Sequence, residues 1–153
     1  MKFQIIYGTE SGNAETVADD LVDEFDGDVE IEATDMTDVT LEELDPSTFL
    51  LVICSTHGDG GMPASAVPFA QLLDDEQPDL TGLRYAVFGL GDSSYETYSR
   101  GSEHIDVRLQ NLGATRVGDY GRHDAADGSL PNESALEWAH EIIAAVAVEV
   151  PAR

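Results

Sequence analysis

The sequence has a single cysteine, Cys54, so the chain cannot form an internal disulfide. One cysteine and an N-terminus without a signal-like segment fit a reducing compartment, and we expect a cytoplasmic protein. Long hydrophobic runs are also absent. The longest, Ile142 to Val148, is far shorter than the roughly 18 apolar residues that indicate a membrane span, so we expect a soluble protein without a membrane partner.

Basic residues are scarce: seven against 31 acidic residues give a net charge of −24, and Lys2 is the only lysine. Long-range repulsion then argues against nucleic acid or an anionic membrane as a partner. The acidic residues are spread along the chain, a composition that resembles proteins of salt-accumulating halophiles. The alternative is an acidic protein of an ordinary cytoplasm that uses its charge to meet basic partners.

The chain is nevertheless apolar enough to fold, since 42% of its 153 residues are hydrophobic. This length corresponds to one domain with a core of its own. No internal repeat or linker divides the sequence, so we expect a single domain over residues 1–153. We also expect the protein to be a monomer.

Short apolar segments alternate with amphipathic helices along the chain. We predict strands at 2–7, 29–33, 49–54, 85–90 and 116–120, and helices at 14–25, around 64–73, across 105–112, and from Leu136 onward. Such alternation favours an α/β fold with a doubly wound, open sheet of five parallel strands and helices on both faces. Ligands of such sheets bind at the carboxyl ends of the strands.

The loop after the first predicted strand has the composition of a phosphate site. It reads Thr9-Glu10-Ser11-Gly12-Asn13-Ala14-Glu15-Thr16 and leads directly into a helix, whose N-terminal N–H groups and dipole attract anions. It matches neither the Walker loop nor the dinucleotide fingerprint. Because the loop has no lysine or arginine, neutral donors alone would hold the anion. The alternative is ordinary N-capping by Ser11 or Thr9.

Two further loops are rich in glycine and contain planar side chains. They read Ser55-Thr56-His57-Gly58-Asp59-Gly60 after the third strand and Gly89-Leu90-Gly91-Asp92-Ser93-Ser94-Tyr95 after the fourth. Glycine lets the backbone approach a flat ligand closely, and His57 and Tyr95 can stack on its faces. The two loops therefore predict a planar ring as ligand.

Other functional classes find little support in the sequence. There is no nucleophile elbow with a Ser-His-Asp order and no pair of carboxylates in an apolar setting. A phosphate-receiver domain would need a lysine at the end of the fifth strand, where there is none. We expect Cys54 to be a core residue and Trp138 to be packed, and we expect no metal site at His104, His123 or His140.

These three loops together resemble those of the flavodoxin family and of the FMN-binding domains of diflavin reductases, over essentially the full chain. The resemblance implies strand order 2-1-3-4-5 and FMN as cofactor. No extra segment interrupts the chain between Arg116 and Asp124, so it is similar to the short-chain form.

The resemblance also assigns roles to individual residues. The FMN phosphate would be bound by six consecutive residues: Thr9, Glu10, Ser11, Gly12, Asn13 and Ala14. The ribityl chain would lie near Ser55 and Thr56. His57 and Tyr95 would flank the flavin ring, Gly58 would lie next to flavin N5 and Asp92 at the pyrimidine edge, and the ring would be surrounded by Asp59, Gly60, Leu90, Gly91 and Tyr98. Tyr98 fits a core position equally well. Ala14 stands where a threonine is common and His57 where a larger aromatic is common, which predicts weaker FMN binding.

The function that the resemblance implies is that of a one-electron carrier. Its partners would be a flavin or iron–sulfur reductase as donor and a redox enzyme as acceptor. Two alternatives stay open: a free-standing FMN module of a diflavin-reductase-like system, and an FMN-dependent reductase of quinones or other small molecules. The sequence has no nicotinamide-binding motif, which counts against the last.

The acidic composition predicts that salt stabilises the protein. Raising KCl from about 0.1 M to about 1 M shortens the Debye length from about 10 Å to about 3 Å, which weakens repulsion among the carboxylates. We expect the melting temperature to rise over this range, measured by differential scanning calorimetry. Sucrose, which stabilises proteins without screening charge, is the control. A melting temperature that does not change with KCl would contradict the halophilic interpretation.

Overall fold

The computed structural model describes residues 2–9, 12–27, 29–55, 63–91, 100–118, 121–124 and 131–149. Strands and helices alternate along these segments. In chain order they are β1 (Lys2–Gly8), α1 (Asn13–Phe25), β2 (Glu30–Asp35), two 3₁₀ turns (Met36–Asp38 and Leu41–Glu43), β3 (Thr48–Ser55), α2 (Ala66–Glu76), β4 (Arg84–Gly91), α3 (Arg100–Asn111), β5 (Thr115–Arg116), β6 (Gly121–Asp124) and α4 (Pro131–Glu149).

The strands form one parallel sheet in the order β2-β1-β3-β4-β5, with β6 also paired to β4. This confirms the predicted doubly wound architecture and the order 2-1-3-4-5. The fifth strand differs from the prediction of 116–120. Two short strands share the far side of β4, with Arg84 and Tyr85 beside β5 and residues 88–91 beside β6.

The core is built in two layers around β3, whose side chains are buried on both faces. Phe49, Leu51 and Ile53 face the cluster that includes α1 and α4. Leu50, Val52 and Cys54 face the cluster that includes α2 and α3. This double burial explains the continuous apolar run of β3. Trp138 is buried and packs on Phe88 with ring centroids 5.4 Å apart, as predicted.

A partly buried polar cluster attaches the edge of the sheet to α3. The Tyr85 hydroxyl donates to Asp106 Oδ1 over 2.6 Å, and Arg116 Nη1 donates to Asp106 Oδ2 over 2.7 Å. Burial, together with the hydrogen bond from Tyr85 to Asp106, raises the pKa of the Tyr85 hydroxyl above its usual value. The cluster therefore connects β4, α3 and β5 at the amino edge of the sheet.

Among the described residues, no helix is both long enough and apolar enough to cross a membrane. Within the same residues, no group of three or more His, Cys, Asp and Glu side chains could hold a metal ion.

Tyr85→Phe should destabilise the protein at pH 7 by about 1–2 kcal/mol, because a buried hydrogen bond to a charged group is lost. The difference should shrink above about pH 10. There the unfolded wild type releases its tyrosyl proton, whereas the raised pKa keeps the folded form protonated, so wild-type stability falls with pH and the variant lacks this contribution. Urea unfolding at both pH values tests this. A difference that stays constant with pH would contradict it.

Candidate functional site

The end of β1 makes an unusually close approach to its neighbours. A Cβ added at Gly8 would lie 2.9 Å from Met36 Sδ, 3.0 Å from Ala66 Cβ and 3.1 Å from Cys54 Sγ. Only glycine fits here without displacing other atoms. Gly8 thereby lets the start of α2 pack directly against the strand that leads into the first predicted loop.

Helix α1 begins at this loop, and no side chain in the described part of the chain caps it. Its N-cap residue is Gly12, with φ of +95°, a left-handed conformation that favours glycine. The Thr9 hydroxyl accepts the Gly12 N–H over 2.7 Å, and the Thr16 hydroxyl donates to the Gly12 carbonyl over 3.1 Å. Since no side chain among the described residues caps the helix, its N-terminus is suited to an anionic ligand.

The hydrogen bond of the Thr9 hydroxyl is therefore not the N-cap bond of α1 that the alternative interpretation predicts. Its hydroxyl bonds to the N-cap residue itself rather than to a later N–H of the helix. Ser11, the other candidate cap, lies outside the described residues.

The register of the sheet aligns the carboxyl ends of the central strands. Gly8 pairs with Cys54 and Cys54 with Gly89. One row further on, Ser55 pairs with Leu90 and Leu90 with His123. The carboxyl ends of β1, β3 and β4 therefore lie at the same edge of the sheet, the edge at which a ligand site is predicted.

Cys54 lies beneath this edge and is fully buried. Burial raises the pKa of its thiol to about 12, because the thiolate would lose its hydration. A neutral, inaccessible thiol is a poor nucleophile. The structure thus confirms the expected core position of Cys54.

Tyr7 connects β1 with the first turn of α1. Its hydroxyl donates to Glu15 Oε2 over 3.2 Å. Partial burial of the hydroxyl raises the pKa of Tyr7 to about 12, and the hydrogen bond to Glu15 makes the second-largest contribution. The side chain therefore remains a neutral donor at physiological pH and helps to fix the orientation of α1 relative to the sheet.

The described residues include seven of the predicted site residues. Four of them lie at or just before the N-terminal end of α1: Thr9, Gly12, Asn13 and Ala14. Ser55 is the last residue of β3, and Leu90 and Gly91 are the last two residues of β4. Ala14 and Leu90 are buried. Ten others lie outside the described residues, and their roles stay predictions: Glu10, Ser11, Thr56, His57, Gly58, Asp59, Gly60, Asp92, Tyr95 and Tyr98.

Sequence analysis missed the contribution of Ser65, which hydrogen-bonds the backbone of Thr9. It also missed Met36, which packs beside Gly8. A serine just before a helix is a recognisable N-cap signal, but that signal does not reveal a bond to a distant loop. Asp124, which lies beyond the predicted fifth strand, pairs with Gly91 as the last residue of β6.

The protein-family model for flavodoxin matches residues 5–138. The chain belongs to the flavodoxin family. Among solved flavodoxin structures, a cysteine-to-serine mutant of flavodoxin from Pseudomonas aeruginosa superposes with a TM-score of 0.79 at 34% identity, covering 95% of this chain and 98% of that one.

Curated relatives of this flavodoxin-family chain fall into two groups by length. Protein MioC of Escherichia coli K12 is 31% identical over 88% of this chain and 90% of its own. The sulfite reductase [NADPH] flavoprotein alpha-component of Bacillus subtilis is 32% identical over 91% of this chain, which spans only 23% of that protein.

Family membership implies FMN as the cofactor, and the described residues fit it. The start of α1 offers backbone N–H groups, and the Thr9 hydroxyl, which accepts the Gly12 N–H, keeps its own proton to donate; together these groups suit a phosphate. These donors are neutral, as the composition of the loop predicted. The donor set therefore matches the terminal phosphate of FMN.

Gly8→Ala should lower the free energy of unfolding by about 1–3 kcal/mol, because the added methyl group overpacks the contact among β1, Met36 and α2. Chemical denaturation measures the loss. The double variant with Met36→Val is the control: relief of the same contact should make its loss smaller than the sum of the two single losses. Additive losses would show that Met36 does not restrict position 8.

Proposed function

We propose that this chain is a one-electron carrier that holds FMN at the carboxyl edge of its sheet. The observation that carries the proposal is the alignment of the carboxyl ends of β1, β3 and β4 at that edge, each followed in the sequence by a segment that resembles a flavodoxin loop. FMN supplies reversible uptake of one or two electrons. The chain's residues bind it, orient it and set the electrostatic field around it.

The loop after β1 would bind the phosphate through the α1 N-terminus, Thr9 and the residues between them. A dianion is favoured there despite the net charge of −24, since the oriented N–H groups lie in direct contact and distant charges are screened. The ring would lie between His57 and Tyr95, with Ser55 and Thr56 along the ribityl chain.

Carboxylates near the ring would oppose each added electron. A single carboxylate about 10 Å away, at an effective dielectric constant near 20, disfavours an added negative charge by roughly 1.7 kcal/mol. Asp59 and Asp92 are the proposed neighbours. Gly58 would lie beside flavin N5 and leave room for a proton there, so the repulsion from these carboxylates would act mainly on the second electron.

The partners of the chain are redox proteins. Within this class, we propose a flavin or iron–sulfur reductase as donor and a redox enzyme as acceptor. We further propose a monomeric, cytoplasmic protein that works in high salt, on the basis of its composition.

A second candidate is a free-standing FMN module that serves one dedicated reductase. The 32% identity with a segment of the Bacillus subtilis sulfite reductase component favours it. The two candidates share the same cofactor site and differ in their partner. A carrier would exchange electrons with several reductases, and a module with one only.

A potentiometric titration of the FMN-loaded protein tests the carrier function. We expect two separate one-electron steps, with the second potential below the first. Asp59→Asn should raise the second potential, more at low salt than at high salt. Asp75→Asn, which removes an exposed charge at the C-terminal end of α2, is the matched control and should leave it nearly unchanged.

Direct passage from oxidised to fully reduced protein at every salt concentration would contradict one-electron transfer. NAD(P)H oxidation without an added reductase would instead indicate an FMN-dependent enzyme that reduces quinones or other small molecules.

A further inference from the structure

Ser65, at the start of α2, is joined to Thr9 by two hydrogen bonds. Its hydroxyl accepts the Thr9 N–H over 2.7 Å, and its own N–H donates to the Thr9 carbonyl over 3.3 Å. These bonds connect positions 56 residues apart in sequence. They attach the loop after β1 to the helix that follows β3.

The Ser65 side chain does not cap its own helix. Serine at an N-cap position commonly accepts an N–H of the first helical turn. Here Ser65 is the N-cap of α2 but makes no such bond. Its hydroxyl is directed to Thr9 instead, and α2 starts without a side-chain cap.

Two neighbouring contacts restrict the position of Ser65. The Thr37 hydroxyl, which follows β2, donates to the Ser65 carbonyl over 3.4 Å. The adjacent Ala66 is the residue whose Cβ would lie only 3.0 Å from a side chain at Gly8. Segments after β1 and β2 and the start of α2 therefore meet at this serine.

The bond to Thr9 continues into α1. Because the backbone of Thr9 is held by Ser65, its hydroxyl is positioned to accept the Gly12 N–H at 2.7 Å. Gly12 is the N-cap of α1. Ser65 is thus connected through Thr9 to the helix terminus that suits the phosphate.

We propose that Ser65 is a positioning residue that holds the loop after β1 in its phosphate-binding conformation. This inference rests on the proposed function, which assigns the FMN phosphate to that loop. It predicts a selective effect: loss of the Ser65 hydroxyl should weaken binding of flavins with a phosphate and spare binding of the ring system alone.

The experiment measures dissociation constants of FMN and riboflavin by fluorescence titration of the full chain after removal of bound flavin. Wild type should bind FMN at least about tenfold more tightly than riboflavin, because charge-assisted hydrogen bonds to the phosphate are strong. Ser65→Ala should weaken FMN binding about three- to tenfold, the range expected for one hydrogen bond, with less than about a twofold change for riboflavin.

Three further variants make the comparison specific. Ser65→Thr keeps the hydroxyl and should restore the preference for FMN. Ser65→Gly also removes the hydroxyl, but glycine is well tolerated at a helix start. It should weaken FMN binding selectively, as expected for Ser65→Ala, and it replaces the alanine variant if that variant folds poorly. Ser47→Ala, at an exposed serine just before β3 on the opposite edge of the sheet, should match wild type.

The outcomes separate the two proposals. Equal affinity of wild type for FMN and riboflavin would overturn the assignment of the phosphate to the loop, and the role of Ser65 with it. A wild-type preference that Ser65→Ala and Ser65→Gly retain would overturn the role of Ser65 alone. Equal weakening of both ligands would also overturn it, because it would show a general structural effect.

Discussion

Burial of β3 on both faces is the constraint on which the rest of the structure depends. An apolar strand in the centre of the sheet needs a helical layer on each side, and the chain provides one from α1 and α4 and the other from α2 and α3. Helical connections between neighbouring strands keep those strands parallel, so the carboxyl ends of β1, β3 and β4 lie at one edge. The location of the site is therefore a consequence of how the centre of the sheet is covered.

Sequence periodicity predicted the elements whose apolar pattern is strong. The first, third and fourth strands were located to within about one residue, since each is a continuous or nearly continuous apolar run. The fifth strand was placed wrongly. Its two parts are short, and both β5 residues are exposed, so no pattern of burial marks β5. Contacts with β4 define them instead, and such contacts are not visible in a local window.

The candidate site shows the same limit. Hydroxyls, glycines and a helix start in consecutive positions indicated the loop after β1, because the chemistry of an anion site is local. The bond from Ser65 to Thr9 joins two loops that the sheet brings together. A serine before a helix indicates only its own helix. Residues that position a site from another strand connection thus become visible only once the strand order is known.

The burial of Cys54 has a consequence for the chemical durability of the protein. Flavin that exchanges electrons in air can generate peroxide, which oxidises thiolates to sulfenic and higher acids. Cys54 is the only cysteine in the chain, it is fully buried, and its raised pKa keeps it protonated. The chain thereby keeps its one oxidisable thiol inside the core, where it is neither accessible nor ionised.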